Sequence, residues 1–141
     1  MMNIKRMICC AFLAAMCTSS FAQDQEEWKL VWSDEFNING RPDSTVWNYE
    51  IGFQRNHEDQ WYQPANAYCK GGCLVIEAKK EKKERKNPGY DKNSQRWPQN
   101  VENIRYTSAL LNTAQKKEFL YGRVEVRAKI PTASGAWPAI W

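Results

Sequence analysis

The feature that most constrains this chain is a strict two-residue alternation near its end. Over residues 123–130, Val124, Val126, Ala128 and Ile130 fall on one side of an extended backbone, and Arg123, Glu125, Arg127 and Lys129 on the other. Successive strand side chains point to opposite faces, so this segment predicts a half-buried strand of an antiparallel sheet. Shorter runs repeat the period at residues 74–79 (Leu74, Ile76, Ala78) and 28–32 (Trp28, Leu30, Trp32), and residues 104–113 are β-compatible. Turn clusters fall between them, at Asn39-Gly40-Arg41-Pro42-Asp43, Gly71-Gly72 and Asn87-Pro88-Gly89. Helical signal is confined to residues 114–119, and the polar stretch 80–103 reads as a long loop. Short strands punctuated by turns predict an all-β sandwich or barrel.

A length of 141 residues fits one domain. Residues 1–22 have the three parts of a secretory signal: Lys5 and Arg6, an apolar core, and Ser20-Phe21-Ala22 as the cleavage site. The expected layout is a signal peptide at 1–22 and one domain over 23–141, in a secreted or periplasmic protein; lipid anchoring at Cys17 is the alternative, with Met16 where a small residue is usual. No apolar run reaches the roughly 20 residues that span a bilayer. The formal charge of +4, from 20 basic and 16 acidic side chains, is too mild and mixed to indicate nucleic acid. The basic excess is local: residues 79–86 read KKEKKERK. Such a run is either an anionic-surface patch or a solvated loop, and the solvated loop is the expectation.

Cys69 and Cys73 bracket Lys70-Gly71-Gly72. A three-residue loop would set the two cysteines opposite each other, as a disulfide in an export compartment. A two-residue turn would pair Cys69 with Leu74 and leave free thiols. With His57 as the sole histidine, a metal-binding cysteine pair is disfavoured. Seven Trp, six Tyr and five Phe serve either a large core or sugar-stacking platforms, and composition does not choose.

Several segments, taken in order, carry a resemblance. They are WSDEF at 32–36, WNYE at 47–50, EDQWY at 58–62, Asn66-Ala-Tyr68, GCLVIEA at 72–78, YTSA at 106–109, YGRVEVRAKIP at 121–131 and GAWPAIW at 135–141. Together they resemble the N-terminal half of a laminarinase-like member of glycoside hydrolase family 16. The resemblance implies a concanavalin A-like β-jelly-roll of two curved antiparallel sheets whose concave face holds a β-1,3- or mixed-linkage glucan. It implies retaining hydrolysis by two carboxyl groups roughly 5–5.5 Å apart, carried in the family on a Glu-x-Asp-x-x-Glu strand. No such motif occurs in these 141 residues. The catalytic strand is therefore expected C-terminal to Trp141, with the jelly roll incomplete and the chain inactive by itself. Glu58, Asp59 and Glu125 are not assigned in its place, Glu125 reading as a solvated or salt-bridged residue.

For binding, the resemblance implies sugar contacts from Asn66, Trp137 and Trp141; the two indoles, four residues apart, share a strand face. The remaining Trp residues read as core. Leu110 stands where laminarinase-like members often carry Arg, and Arg105, at an odd offset, falls on the other face. No cofactor is required, but the family's structural calcium would use backbone oxygens of Glu35 and Gly72. The implied partner is a β-glucan, with no nucleic acid and no membrane span, and the complete protein would be a monomer. A non-catalytic β-glucan-binding module is the competing reading.

Overall fold

The computed structural model describes residues 28–141, so the signal segment at 1–22 and the Cys17 anchor lie outside the described residues. Trp32–Trp141 form one compact unit. Seven short strands follow in order: β1 (Asn48–Tyr49), β2 (Gln60–Tyr62), β3 (Ala67–Cys69), β4 (Leu74–Ile76), β5 (Lys79–Lys86), β6 (Asn103–Ser108) and β7 (Leu111–Asn112). A 3₁₀ turn at Pro64–Asn66 and one turn of helix, α1 (Trp97–Asn100), are the helical pieces among the described residues. Pro at the start of each suits a position whose N–H would go unused. No described helix is long and apolar enough to cross a membrane.

The strands pair as β1–β7, β2–β6–β5 and β3–β4. The β2–β6 pairing is parallel, which departs from the expected all-antiparallel sheets, whereas β5–β6, β3–β4 and β1–β7 are antiparallel. The core lies under these sheets. Ile104 (1% exposed), Thr107, Phe53, Tyr62, Ala67, Cys69 and Ala109 are buried. Phe53 receives Trp61 edge-on at 5.4 Å and Trp97 at 5.7 Å. A second aromatic group joins Trp32 to Trp47 (6.3 Å) and Phe119 (6.0 Å), and Phe36 to Trp47 (5.9 Å). The indole N–H of Trp47 donates to Asp34 Oδ2 at 2.7 Å, tying residues 32–36 to the body. Trp32, Trp47, Trp61 and Trp97 therefore pack as core or staple residues, as expected, whereas Trp28 is 61% exposed and does not.

Four expectations are corrected. Residues 79–86 form the longest strand rather than a loop. Apolar alternation is absent from KKEKKERK, but cross-strand polar partners replace it. Glu81 accepts from buried Thr107 Oγ1 at 2.6 Å, Arg85 donates to Gln63 at 2.8 Å, and Glu84 pairs with Arg105 at 2.8 Å. The register shifts between Lys80 and Arg85, so β5 bulges past Arg105. Residues 123–130 form no strand: each is exposed, with Val124 at 78% and Val126 at 57%, and none pairs with a described strand. Residues 28–32 are likewise unpaired. At 114–119 there is a turn closed by the Lys116 and Lys117 N–H groups on the Thr113 carbonyl, not a helix.

The Cys69–Cys73 disulfide is not formed; both thiols are free. The alternative turn accounts for it. Cys69 sits opposite Leu74, and Lys70 and Cys73 exchange backbone hydrogen bonds of 2.9 and 3.2 Å across Gly71-Gly72. Both glycines have positive φ (58° and 71°), as a two-residue type I′ turn requires. Cys69 is buried while Cys73 is exposed. Burial pushes the Cys69 thiol above its ordinary range, with the Asp34 charge adding to it, so it behaves as an inert core thiol.

Candidate functional site

The candidate site residues fall in three places, residues 50–62, the corner at Asn66 and the segment 137–141, and the described contact among them is Arg55 with Trp141. In the first, Gly52 (φ 98°) bridges to Tyr62 through paired backbone hydrogen bonds of 2.9 and 3.0 Å, with Trp61 packed above the glycine. Any side chain at residue 52 would have to adopt a strained backbone under that indole. The chain then reverses through Asn56 and His57, both left-handed (φ 59° and 55°), and the Glu58 N–H donates to the Arg55 carbonyl at 3.1 Å. His57 rests on Trp97, ring centres 4.9 Å apart.

This turn gathers a polar group that sequence spacing does not announce. Arg55 ion-pairs with Glu50 through Nη2 and Oε2, and that hydrogen bond raises the guanidinium pKa, keeping it charged. The Tyr62 hydroxyl donates to Glu58 Oε2 at 2.7 Å, and Gln60 Nε2 donates to both Glu58 (3.1 Å) and the Tyr62 oxygen (2.8 Å). Burial, then the Glu58 carboxylate, pushes the Tyr62 phenol above its usual range. Glu50 and Glu58 are thus committed to Arg55 and to Tyr62 and Gln60 respectively. Neither is set up as half of a hydrolytic carboxyl pair. Glu125 is ion-paired with Arg123 at 2.6 Å on the surface.

Asn66 is 1% exposed. Its amide donates to the Glu77 carbonyl (2.8 Å) and Thr107 Oγ1 (3.0 Å), while its Oδ1 accepts from Gln63 Nε2 (2.8 Å). Both N–H bonds are spent inside the chain, so Asn66 ties the segment after β4 to β6. Trp137 and Trp141 have the opposite character: they are 91% and 88% exposed, with both indole faces free for a ligand apart from Arg55, whose Cζ lies 5.4 Å from the Trp141 ring centre. Leu110 is half-buried, and its carbonyl accepts from the Glu50 N–H at 3.1 Å. Arg105 is held on the outside by Glu84 and does not substitute for the missing Arg.

The Gly72 turn packs against residues 35–39. A Cβ built at Gly72 would lie 3.7 Å from Asn37 Oδ1 and 4.0 Å from the Glu35 carbonyl oxygen. The loop is held there in part by the Gly71 N–H donating to Asn39 Oδ1 at 3.3 Å. No group of three or more His, Cys, Asp or Glu that could hold a metal occurs among the described residues.

Residues 14–141 match the family described as beta-glucan synthesis-associated protein SKN1/KRE6/Sbg1. A beta-glucanase of Rhodothermus marinus is 39% identical over 132 residues, covering 90% of this chain and 40% of that protein. The catalytic domain of an endo-1,3-beta-glucanase (laminarinase) from Thermotoga petrophila superposes with a TM-score of 0.52 at 36% identity, over 68% of this chain and 35% of that one. A structure from work on endo-acting O-glycanases, by which prominent members of the human gut microbiota initiate mucin breakdown, superposes at 0.60 and 37% identity, over 70% and 35%. The chain spans well under half the length of these relatives. The resemblance to family 16 laminarinases holds, and with it the all-β jelly-roll fold.

Proposed function

The chain belongs to the family described as beta-glucan synthesis-associated protein SKN1/KRE6/Sbg1, and from that premise we propose that it is a secreted, glycosidase-like protein acting on β-glucan. Residues 23–141 supply the part of the fold that grips the polysaccharide. The observation that carries this reading is the pair of exposed indoles, Trp137 and Trp141, in a segment whose order of motifs is that of laminarinases. An indole lays a flat apolar face on the C–H side of a glucose ring and keeps its N–H for a hydroxyl.

These 141 residues bind and do not by themselves hydrolyse. They contain no Glu-x-Asp-x-x-Glu, and the carboxylates gathered at residues 50–62 are committed to Arg55, Tyr62 and Gln60. Affinity electrophoresis in laminarin tests the first half: Trp137→Ala and Trp141→Ala each weaken retardation roughly three- to tenfold, and unchanged mobility in both rejects the reading. Reducing-sugar release from laminarin tests the second, where sustained hydrolysis by this chain would refute it. Export is tested by N-terminal sequencing of the mature protein, expected to begin at Gln23.

A second reading, an O-glycan ligand, is favoured by the superposition at TM-score 0.60 and by Leu110 in place of the Arg common in laminarinase-like members. Retardation by mucin O-glycans but not by laminarin would select it. Calcium, if carried, would be held by the Glu35 and Gly72 carbonyls and would brace the β3–β4 turn against residues 35–39; a melting point insensitive to Ca²⁺ against EGTA would reject this.

A further inference from the structure

Residues 117–141 are exposed throughout, yet Trp141 meets a fixed cation on the body. Arg55 is unusually constrained for an arginine of a surface turn. Its backbone carbonyl is taken by the Glu58 N–H, and the turn that follows is locked by two left-handed residues. Its Nη2 is held by Glu50, whose own N–H is anchored to the Leu110 carbonyl. Its Nη1 is buried and has no hydrogen-bond partner. A guanidinium oriented this way on one edge presents its plane to an aromatic ring without further loss of side-chain freedom.

We propose that Arg55 is a positioning residue for the sugar platform: oriented by Glu50, it sets the Trp141 indole by a cation–π contact so that one ring face is presented to the glycan. This rests on Trp141 being a glycan contact. A free indole on an exposed segment would have to be ordered by the ligand itself, and that ordering subtracts from affinity. Arg55 removes part of the cost beforehand. The arrangement also explains why Glu50 faces Arg55 and is not available for chemistry. The pair serves geometry at the binding face.

The full chain, labelled with 5-fluorotryptophan, gives the test. The ¹⁹F line of Trp141 is identified by its loss in Trp141→Ala. Arg55→Gln is expected to shift that line and to weaken laminarin retardation roughly three- to tenfold. Arg55→Lys, which keeps the charge, recovers part of both, and Glu50→Gln gives a smaller shift in the same direction. Arg55→Gln adds little further loss to Trp141→Ala, because the two act through one contact. A Trp141 line unmoved in both Arg55 variants, or losses that simply add, overturns the proposal. A line that moves in a chain that never binds laminarin leaves the positioning role standing and rejects the glucan reading.

Discussion

Strand β5 and residues 123–130 make an instructive pair. The first reads KKEKKERK, carries no apolar side chain, and is a paired strand; the second alternates apolar and charged residues without a fault, and is unpaired. A strand forms where a neighbour takes its backbone hydrogen bonds. Side-chain patterning then says which face can be buried, and does not create the neighbour. β5 has β6 beside it and meets buried polarity with Glu81 on Thr107. Residues 123–130 present an apolar row, Val124, Val126 and Ile130, that nothing among the described residues covers.

The sharpest way to break this contrast is a matched pair of truncations. Ile104→Ala removes a fully buried side chain of β6 and should cost about 2–5 kcal/mol in urea unfolding. Val126→Ala, at a position the alternation alone would call core, should stay within about 0.5 kcal/mol. Comparable losses at both sites would mean that residues 123–130 pack in solution, and the contrast would fail.

A smaller effect separates the two faces of β5 itself. Thr107→Val keeps shape but strips the hydroxyl that accepts from Asn66 and donates to Glu81, leaving two groups short of a partner. A loss of about 1–3 kcal/mol is expected. Lys83→Ala, on the exposed part of the bulge, should be nearly neutral. If Thr107→Val proves neutral as well, water replaces the hydroxyl and polar pairing is not what holds β5.

These particular residues also show how far the sequence could be read. The all-β class and the turn punctuation were legible, because period-two patterning and paired glycines report backbone geometry directly. Asn66 could be located but its partners could not: its two amide protons go to Glu77 and Thr107, and only the fold brings Thr107, 41 residues away, within 3.0 Å. Gly71-Gly72 left two turns open, and the choice between them decided whether Cys69 met Cys73 or Leu74. The Arg55–Glu50 pair was missed because five residues is neither a helix nor a strand spacing; a turn with two left-handed residues, Asn56 and His57, stands beside it. Asn-His is not a strong turn signal.

The smallest expected effect lies at the junction between β4 and β5, where Lys79 Nζ reaches Glu77 Oε2 at 2.5 Å and the Tyr68 hydroxyl donates to Oε1 at 3.3 Å. The Lys79 hydrogen bond, ahead of every other influence, holds the Glu77 carboxyl below its ordinary value of 4.5. Because the native pKa is depressed, the unfolded chain takes up this proton first as pH falls. The stabilisation is therefore present in full above the ordinary carboxylate range and fades as pH drops through the native pKa. The pair is exposed, so salt should erase most of it. Glu77→Gln should melt slightly below the parent at neutral pH and low salt, with the two melting points converging in acid and again in high salt. A difference that persists in acid and in high salt would assign the effect to the neutral side-chain contact, the Tyr68 hydroxyl on Glu77 Oε1, and not to surface charge.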